Sequence, residues 1–146
     1  MWRSPWSDKL GPQLVAQDGH GYSSWDSLVP TLKIVRGRMV VGIYFSADWC
    51  TPCVHFTPLL MSLHASRRAH GTAAAKSIPP FGVILVSQCH DAATTKQYFA
   101  KMPWTAMPHA ESIGHRGLAL MEEFGVTSIP ALILLNEEGA LICREG

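Results

Sequence analysis

The sequence predicts a three-layer α/β sandwich around a central mixed sheet. Two apolar runs, Val40–Ser46 and Phe81–Val86, have the length and composition of buried strands in a parallel sheet. Stretches with helical spacing follow both runs, and the chain then closes with two strands joined by a Glu138-Gly139 turn. Strands that alternate with helices and end in an antiparallel hairpin define this fold class.

The composition indicates one domain and excludes several function classes. The chain has 146 residues, enough for a single core, and 47% of them are hydrophobic. A net charge of +1 with scattered Lys and Arg gives no reason to expect nucleic acid or an anionic membrane as a partner. No apolar run approaches the roughly 20 residues of a membrane span, and the first residues lack a signal-peptide core. We therefore expect a cytoplasmic protein with an N-terminal arm (1–13) and one domain (14–146).

The region before the central strand is predicted to add one strand and one helix. Leu14–Gln17 is expected to be a short first strand that ends at the Asp18-Gly19 turn signal. Ser24 is a suitable N-cap for a brief helical stretch, which Pro30 then interrupts.

Cys50 and Cys53 lie where the central strand turns into a helix. Apolar residues follow them at helical spacing: Val54, Phe56, Leu59, Leu60 and Leu63. The unpaired N–H groups and positive dipole end of a helix N-terminus favour a thiolate over a thiol. Cys50 is therefore the expected nucleophile, and Cys53, one turn later, is placed to resolve a mixed disulfide. Pro52 constrains this turn and helps to place the sulfurs within bonding reach.

The rest of the domain continues the alternation of helices and strands. Pro103 is expected to end one helix, and Gly125 is a suitable C-cap for the next. The predicted elements are, in order, a loop over Ala65–Pro80, the Phe81–Val86 strand, a turn over Ser87–Asp91, a helix over Thr94–Met102, a loop over residues 103–115, a helix over Arg116–Phe124, and strands over Ala131–Leu135 and Ala140–Arg144.

Zinc binding is the alternative interpretation of the cysteine pair. A closed structural site needs four ligands, which would have to include His55, His64 or His90. Because the sequence has no second CxxC and no HxxxH, redox chemistry is favoured and no metal is predicted.

Three further residues have two interpretations each. Cys89 follows the second buried strand, at the sheet edge that also carries the Cys50 loop, and is either a small buried side chain or a modulatory thiol. Trp104 is either a core anchor or a wall of the site. His55 is read as a surface residue of the helix, with an influence on the thiolate as the alternative. Cys143, in the last strand, is interpreted as core packing.

Three blocks of the sequence resemble, in order, those of the tryparedoxin and nucleoredoxin branch of the thioredoxin-like superfamily. They are FSADWCTPCVHFTPLL, YFAKMPWTAMPH and FGVTSIPALILLNEEG. Members of this branch carry WCxPCxxFTPxL, a tyrosine-phenylalanine helix that runs into MPW, and a SIPTL-type motif. The resemblance extends from about Val40 to the C-terminus and implies a thioredoxin-like fold.

The resemblance assigns a role to each matching residue. It implies that Cys50 attacks a disulfide, that Cys53 resolves the intermediate and that Trp49 shields the pair. It also implies a cis bond before Pro130, which would turn the backbone of Ile129 towards the dithiol, where an incoming chain can pair with it. The predicted substrate-contacting residues are Trp49, Pro52, Ile129 and Pro130.

The implied function is reduction of protein disulfides by a thiol–disulfide oxidoreductase. No cofactor is expected beyond a redox-active Cys50–Cys53 disulfide. Implied partners are peroxiredoxin-type peroxidases as acceptors, and either a low-molecular-weight dithiol such as trypanothione or a reductase as electron donor. The alternative is a redox-regulated protein-binding module of the nucleoredoxin type.

Tyr44 stands where typical thioredoxins keep a buried aspartate as proton acceptor. Proton transfer at the dithiol is therefore expected to involve other groups. The candidate modulators are Tyr44, Cys89 and Trp104.

The sequence departs from the family pattern at three places. Val54 stands where tryparedoxins often have arginine, and residues 87–91 (SQCHD) stand where relatives have tryptophan followed by acidic residues. Both changes remove contacts to a charged glutathione-like substrate, so the resemblance does not carry over a preference for trypanothione. The family's final helix has no counterpart before Gly146. Either the natural chain is longer, or Leu10–Arg38 covers that face of the sheet, or the domain is less stable than its relatives.

Overall fold

A computed structural model describes five segments of the chain, namely residues 14–15, 21–22, 40–69, 81–136 and 141–145. Several predicted features lie outside these segments: the N-terminal arm, the Asp18-Gly19 turn, the Ser24 helix and the Glu138-Gly139 turn.

The described residues contain seven strands that form one mixed sheet. They are β1 (Leu14–Val15), β2 (Gly21–Tyr22), β3 (Val40–Ser46), β4 (Phe81–Ser87), β5 (Thr105–Ala106), β6 (Ala131–Asn136) and β7 (Leu141–Glu145). Their spatial order is β2-β1-β5-β4-β3-β6-β7. The central β3 is parallel to β4 and antiparallel to β6, where Phe45 pairs with Ala131.

Four helices connect the described strands. They are α1 (Thr51–Ala69), α2 (Ala92–Phe99), α3 (His109–Ile113) and α4 (His115–Glu123). After α4, Gly125 takes a φ of 66°, a left-handed conformation that glycine adopts without the steric cost of a side chain. The glycine thus ends this helix as the sequence predicts, although the C-cap position itself falls on Phe124.

Some element boundaries differ from the sequence prediction. Helix α1 continues to Ala69, so the predicted loop from Ala65 is wrong over its first residues. Helix α2 begins before Thr94, because the Asp91 side chain accepts a 2.7 Å hydrogen bond from the Thr94 N–H and caps the first turn. The same helix ends at Phe99 rather than at Met102.

Residues 103–115 are not the continuous loop that the sequence predicts. They contain β5, which pairs in parallel with Ile84 and Leu85 of β4, and they contain α3. A two-residue strand has no periodicity of its own, and its formation depends on the neighbouring strand.

The central sheet lies between helices on both faces, which confirms the predicted three-layer arrangement. Alternate residues of β3 point to opposite faces. Ile43 and Phe45 pack in one buried cluster with Leu120 of α4, whereas Tyr44 packs in another with Leu60 of α1 and Phe99 of α2.

Candidate dithiol site

Cys50 and Cys53 lie at the first turn of α1, directly after the carboxyl end of β3. Both are free thiols; Cys50 is 7% exposed and Cys53 is fully buried. The Cys50 N–H donates to the Ala47 carbonyl over 3.4 Å, and the Cys50 carbonyl accepts from the Val54 N–H over 3.0 Å. These bonds join strand to helix through a short turn, so the backbone of both elements positions the two sulfurs.

The Cys50 sulfur lies within hydrogen-bonding distance of two backbone groups. The Cys53 N–H donates to Cys50 Sγ over 3.4 Å, and the Ile129 carbonyl oxygen lies 3.7 Å from the same sulfur. The Ile129–Pro130 peptide bond is cis, as the resemblance implies. The structure therefore brings together three of the predicted site residues from two distant parts of the chain.

The Cys53 sulfur is a thiol at neutral pH. Burial, followed by the hydrogen bond to the Cys50 side chain, raises the pKa of Cys53 to about 11. Hydrogen bonds from the Ala47 backbone and the Ser46 side chain act in the opposite direction and lower this pKa in part. The two cysteines also differ in their access to solvent, because only Cys50 has any exposed surface.

Trp49 lies beside the dithiol and spans to the loop after β4. Its indole Nε1–H donates to the Gln88 carbonyl over 2.9 Å, and its ring stacks on His90 with centroids 5.8 Å apart. The side chain is 53% exposed, so one indole face remains available to a partner. The predicted role of Trp49 in shielding the dithiol stays a prediction. Pro52 is also exposed.

Cys89 belongs to the same buried cluster as the dithiol. It packs with Ala47, Cys50 and Cys53 and is 2% exposed. Burial raises the pKa of the Cys89 thiol, with smaller opposing effects from hydrogen bonds to Ser87 and the Asp48 backbone. The position of Cys89 at the sheet edge agrees with the sequence prediction. A modulatory role for its thiol stays a prediction.

A group of four side-chain hydroxyls lies beneath Cys53, and we call it the hydroxyl cluster: Tyr44, Ser46, Thr57 and Tyr98. Thr57 Oγ1 lies 2.6 Å from the Tyr44 hydroxyl and 3.0 Å from the Tyr98 hydroxyl. The Tyr98 hydroxyl lies 2.6 Å from Ser46 Oγ, and Thr57 donates to the Cys53 carbonyl over 2.9 Å. Burial raises the pKa of Tyr44 to about 12, so its hydroxyl stays protonated at neutral pH.

Sequence reasoning recognised only Tyr44 among these four residues. Nothing in the sequence connects Tyr98 with the cysteine pair, and Ser46 is recognisable only as the last residue of the central strand. One signal was present: Thr57 follows Cys53 by four residues, so it lies on the same face of α1.

Trp104 lies in the core rather than at the dithiol surface. It is 5% exposed and packs edge-on against Tyr44, with ring centroids 6.3 Å apart, and against His64, with centroids 5.4 Å apart. It therefore contacts the hydroxyl cluster through Tyr44. His55, by contrast, is exposed, and the side chain of Cys143 lies outside the described part of the structure.

No group of three or more His, Cys, Asp or Glu among the described residues is placed to hold a metal ion. Nor does any helix in this part of the chain have the length and apolar character needed to cross a membrane.

The fold and the site together define an α/β protein with a reduced dithiol at the first turn of the helix that follows its central strand. The chain belongs to the thioredoxin-like family, whose sequence pattern matches residues 37–141. This membership confirms the predicted fold and indicates a redox function.

Individual relatives confirm the resemblance to the tryparedoxin and nucleoredoxin branch. Nucleoredoxin of Xenopus laevis is 37% identical over 106 residues, which are 73% of this chain and 23% of that protein. Tryparedoxin of Trypanosoma brucei brucei is 38% identical over 103 residues, which are 70% of this chain and 65% of that protein. A structure of tryparedoxin II complexed with glutathionylspermidine superposes with a TM-score of 0.69 at 29% identity, covering 90% of this chain and 79% of the other. The chain thus spans about a quarter of the length of the nucleoredoxins that it matches.

Proposed function

We propose that the chain is a thiol–disulfide oxidoreductase that reduces protein disulfides through Cys50 and Cys53. The observation that carries this proposal is the pair of free thiols at one helical turn, in which the Cys53 N–H donates to the Cys50 sulfur. A backbone donor at this position stabilises negative charge on Cys50 as it attacks.

The proposed reaction has two exchange steps. The Cys50 thiolate attacks a client disulfide, so that a Cys50–client bond forms and the first client thiolate leaves. Cys53 then attacks the Cys50 sulfur, which forms the Cys50–Cys53 disulfide and releases the second client thiolate. The client gains two electrons and the protein loses two, which an external dithiol must restore.

The client is proposed to dock against the backbone of Ile129 and the exposed face of Trp49. The Ile129 carbonyl already lies 3.7 Å from the Cys50 sulfur, so an extended peptide that pairs with this segment would carry its disulfide to the nucleophile. Pro130 and the exposed Pro52 complete the proposed contact surface.

The electron donor is proposed to be a low-molecular-weight dithiol or a protein reductase, with peroxiredoxin-type peroxidases as acceptors. Support comes from the related tryparedoxin II, which binds glutathionylspermidine. Val54 and the segment Ser87–Asp91 differ from the tryparedoxin pattern, so trypanothione is not preferred in this proposal over other dithiols of the same class. A cytoplasmic location stays a prediction.

Insulin-disulfide reduction by dithiothreitol tests the proposed function. We expect the wild-type protein to accelerate insulin precipitation and Cys50→Ser to reduce the rate to that of dithiothreitol alone, because no other thiol replaces the nucleophile. Cys143→Ser is the matched control in β7, and it is expected to retain the wild-type rate. Absence of turnover in the wild type would contradict the proposal.

A redox-regulated binding module of the nucleoredoxin type is the second candidate. Similarity to nucleoredoxins and the half-exposed Trp49 beside the dithiol favour it. In this case the protein would bind a client more tightly in one redox state without turnover. Cys53→Ser distinguishes the two functions, because an oxidoreductase lacking its resolving thiol accumulates covalent mixed disulfides, whereas a binding module retains its client under reducing conditions.

A further inference from the structure

Thr57 has hydrogen-bond contacts with three elements of the fold. It lies on α1 one turn after Cys53, and its Oγ1 donates to the Cys53 carbonyl over 2.9 Å. The same oxygen lies 2.6 Å from the hydroxyl of Tyr44 on β3 and 3.0 Å from the hydroxyl of Tyr98 on α2. One buried side chain thus connects the backbone of the resolving cysteine to the central strand and to a second helix.

The number of available protons sets the direction of these bonds. A threonine hydroxyl has one proton and two lone pairs, whereas a carbonyl only accepts. Because the Thr57 proton is used at the Cys53 carbonyl, the Thr57 oxygen accepts from both Tyr44 and Tyr98. The Tyr98 proton is then used as well, so Ser46 Oγ donates to the Tyr98 hydroxyl over 2.6 Å. The hydroxyl cluster is therefore ordered, with every bond directed towards the Cys53 carbonyl.

The backbone of α1 lacks one hydrogen bond directly after Cys53. Pro58 lies inside the helix and has no N–H, so it cannot donate to the Val54 carbonyl one turn earlier. The first turn, which carries Cys53, is thus joined to the rest of the helix by one bond fewer than usual. The Thr57 hydroxyl supplies an additional bond at this place, to the carbonyl of the residue before Val54.

Disulfide closure depends on the position of Cys53. Its sulfur must approach the Cys50 sulfur on the side opposite the departing client sulfur, and a displacement of about 1 Å costs about 10²-fold in rate. A hydrogen bond that fixes the Cys53 carbonyl restricts rotation of the backbone that carries this sulfur.

We propose that Thr57 is a positioning residue for the resolving step, and that Tyr44 and Tyr98 hold its hydroxyl in place. The inference rests on the proposed oxidoreductase function. It concerns the second exchange, in which Cys53 bonds to Cys50 and the client sulfur leaves as a thiolate with the bonding electron pair. Thr57 acts through the Cys53 backbone and neither gains nor loses a proton or an electron in that step.

Stopped-flow reaction of the reduced protein with dithiobis(nitrobenzoate) separates attack from resolution. Attack by Cys50 releases one coloured thiolate at a rate that rises with reagent concentration. Closure by Cys53 releases a second thiolate at a rate independent of that concentration, and this resolving phase disappears in Cys53→Ser. A high reagent concentration makes attack the faster of the two steps, so the resolving rate is measured directly.

Thr57→Val removes the hydroxyl and keeps the shape of the side chain. We expect it to slow the resolving phase by about tenfold, less than the cost of a full 1 Å displacement, since the helix backbone still holds Cys53 in part. The attack phase is expected to stay close to its wild-type rate, because the N–H that contacts the Cys50 sulfur lies at the other end of Cys53. This phase also serves as an internal check of folding.

Thr57→Ser distinguishes positioning from packing. Serine keeps the hydroxyl and loses the methyl group, whereas valine keeps the methyl group and loses the hydroxyl. A positioning hydroxyl predicts a resolving rate near that of the wild type in Thr57→Ser. A packing role for Thr57 predicts that the serine variant is the slower of the two.

The Tyr44→Phe/Tyr98→Phe double variant tests the connections to β3 and α2. It removes both bonds that hold the Thr57 oxygen, while Thr57 can still donate to the Cys53 carbonyl. We expect its resolving rate to approach that of Thr57→Val, and each single variant to be slowed less because one connection remains. The double variant also decides the question if Thr57→Val does not fold.

Thr95→Val is the matched control. Thr95 and Thr57 are both 7% exposed, and the Thr95 hydroxyl bonds to Ser87 over 2.9 Å on α2 rather than to Cys53. The substitution removes a buried threonine hydroxyl from a neighbouring helix, and both phases are expected to keep the wild-type rate.

The outcomes distinguish the role of Thr57 from the underlying function. An unchanged resolving rate in Thr57→Val would overturn the positioning role and leave the oxidoreductase function intact. Equal slowing of both phases, or equal slowing by Thr57→Ser or Thr95→Val, would also overturn it. A wild-type resolving rate in the double tyrosine variant would overturn the part assigned to Tyr44 and Tyr98. Absence of the resolving phase from the wild type would contradict the oxidoreductase function itself.

Discussion

The two faces of β3 differ in chemistry although they belong to one seven-residue strand. Ile43 and Phe45 face a cluster of apolar side chains, where α4 covers the sheet. Tyr44 and Ser46 face α1 and α2 and belong to the hydroxyl cluster beneath Cys53. One face therefore packs apolar side chains alone, whereas the other combines apolar packing with hydrogen-bonded hydroxyls next to the dithiol. Two substitutions and one pH titration test this difference, in order of decreasing expected effect.

Phe45→Ala is expected to have the largest effect, and on stability alone. Phe45 is fully buried, and removing a buried phenyl ring costs about 3–5 kcal/mol in the free energy of unfolding. Urea denaturation followed by circular dichroism measures this change, and Ile43→Val on the same face is the milder control at about 0.5–1.5 kcal/mol. Under conditions where the variant is folded, Cys50 should react with dithiobis(nitrobenzoate) at the wild-type rate; a large loss of reactivity would show that the faces are not separable.

Alkaline pH is expected to destabilise the dithiol face. The pKa of Cys53 is raised from 9.0 to about 11, so the folded state holds this proton more tightly than the unfolded chain does. The resulting stabilisation is complete below pH 9 and is lost as the pH rises towards 11. We therefore expect the free energy of unfolding of the wild type to fall more steeply across this window than that of Cys53→Ala.

Cys143→Ala supplies the control for this titration, since it removes a thiol of β7 instead. It should follow the wild-type decline. Equal slopes for the wild type and Cys53→Ala would show that the buried thiol makes no contribution to the pH dependence.

Tyr44→Phe is expected to have the smallest effect. The substitution keeps the ring that packs on Phe56 and Trp104 and removes only the hydroxyl. The Tyr44 hydroxyl bonds to Thr57 over 2.6 Å and donates a longer bond to the Cys53 carbonyl over 3.4 Å. Thr57 keeps its own bonds to that carbonyl and to Tyr98, so we expect a loss of about 1–2 kcal/mol in the free energy of unfolding. Urea denaturation measures this loss, and a cost as large as that of Phe45→Ala would contradict the division between the faces.

The sequence predicts the central elements because their signals are local. The strand Val40–Ser46 has the bounds that its continuous apolar run indicates, and α1 begins at Thr51, between the two cysteines, where the helical spacing of apolar residues starts. Gly125 takes the conformation that its position after a helix requires. In each case neighbouring residues alone determine the outcome.

The sequence prediction is wrong or incomplete mainly where contacts between distant parts of the chain determine the structure. β5 exists because Thr105 and Ala106 pair with β4, which no pattern within two residues can reveal. The start of α2 is the exception, because Asp91 caps that helix from a neighbouring position, a local signal that helical periodicity alone does not reveal. The hydroxyl cluster was missed because Ser46 and Tyr98 are 52 residues apart and meet only when α2 packs against β3.

Strand pairing also sets the position of the proposed client-binding backbone. Phe45 pairs with Ala131, so Ile129 lies two residues before the pairing of β6 with β3 begins, and its carbonyl reaches the Cys50 sulfur. A shift of β6 by one residue would turn every side chain of that strand to the opposite face, at the expense of the buried Ile133 and Leu135. The spacing between the Cys50 sulfur and the Ile129 carbonyl is therefore protected by the whole core. Under the proposed function, substitutions in the loops at 48–49 and 88–91 would change the choice of client without altering that spacing.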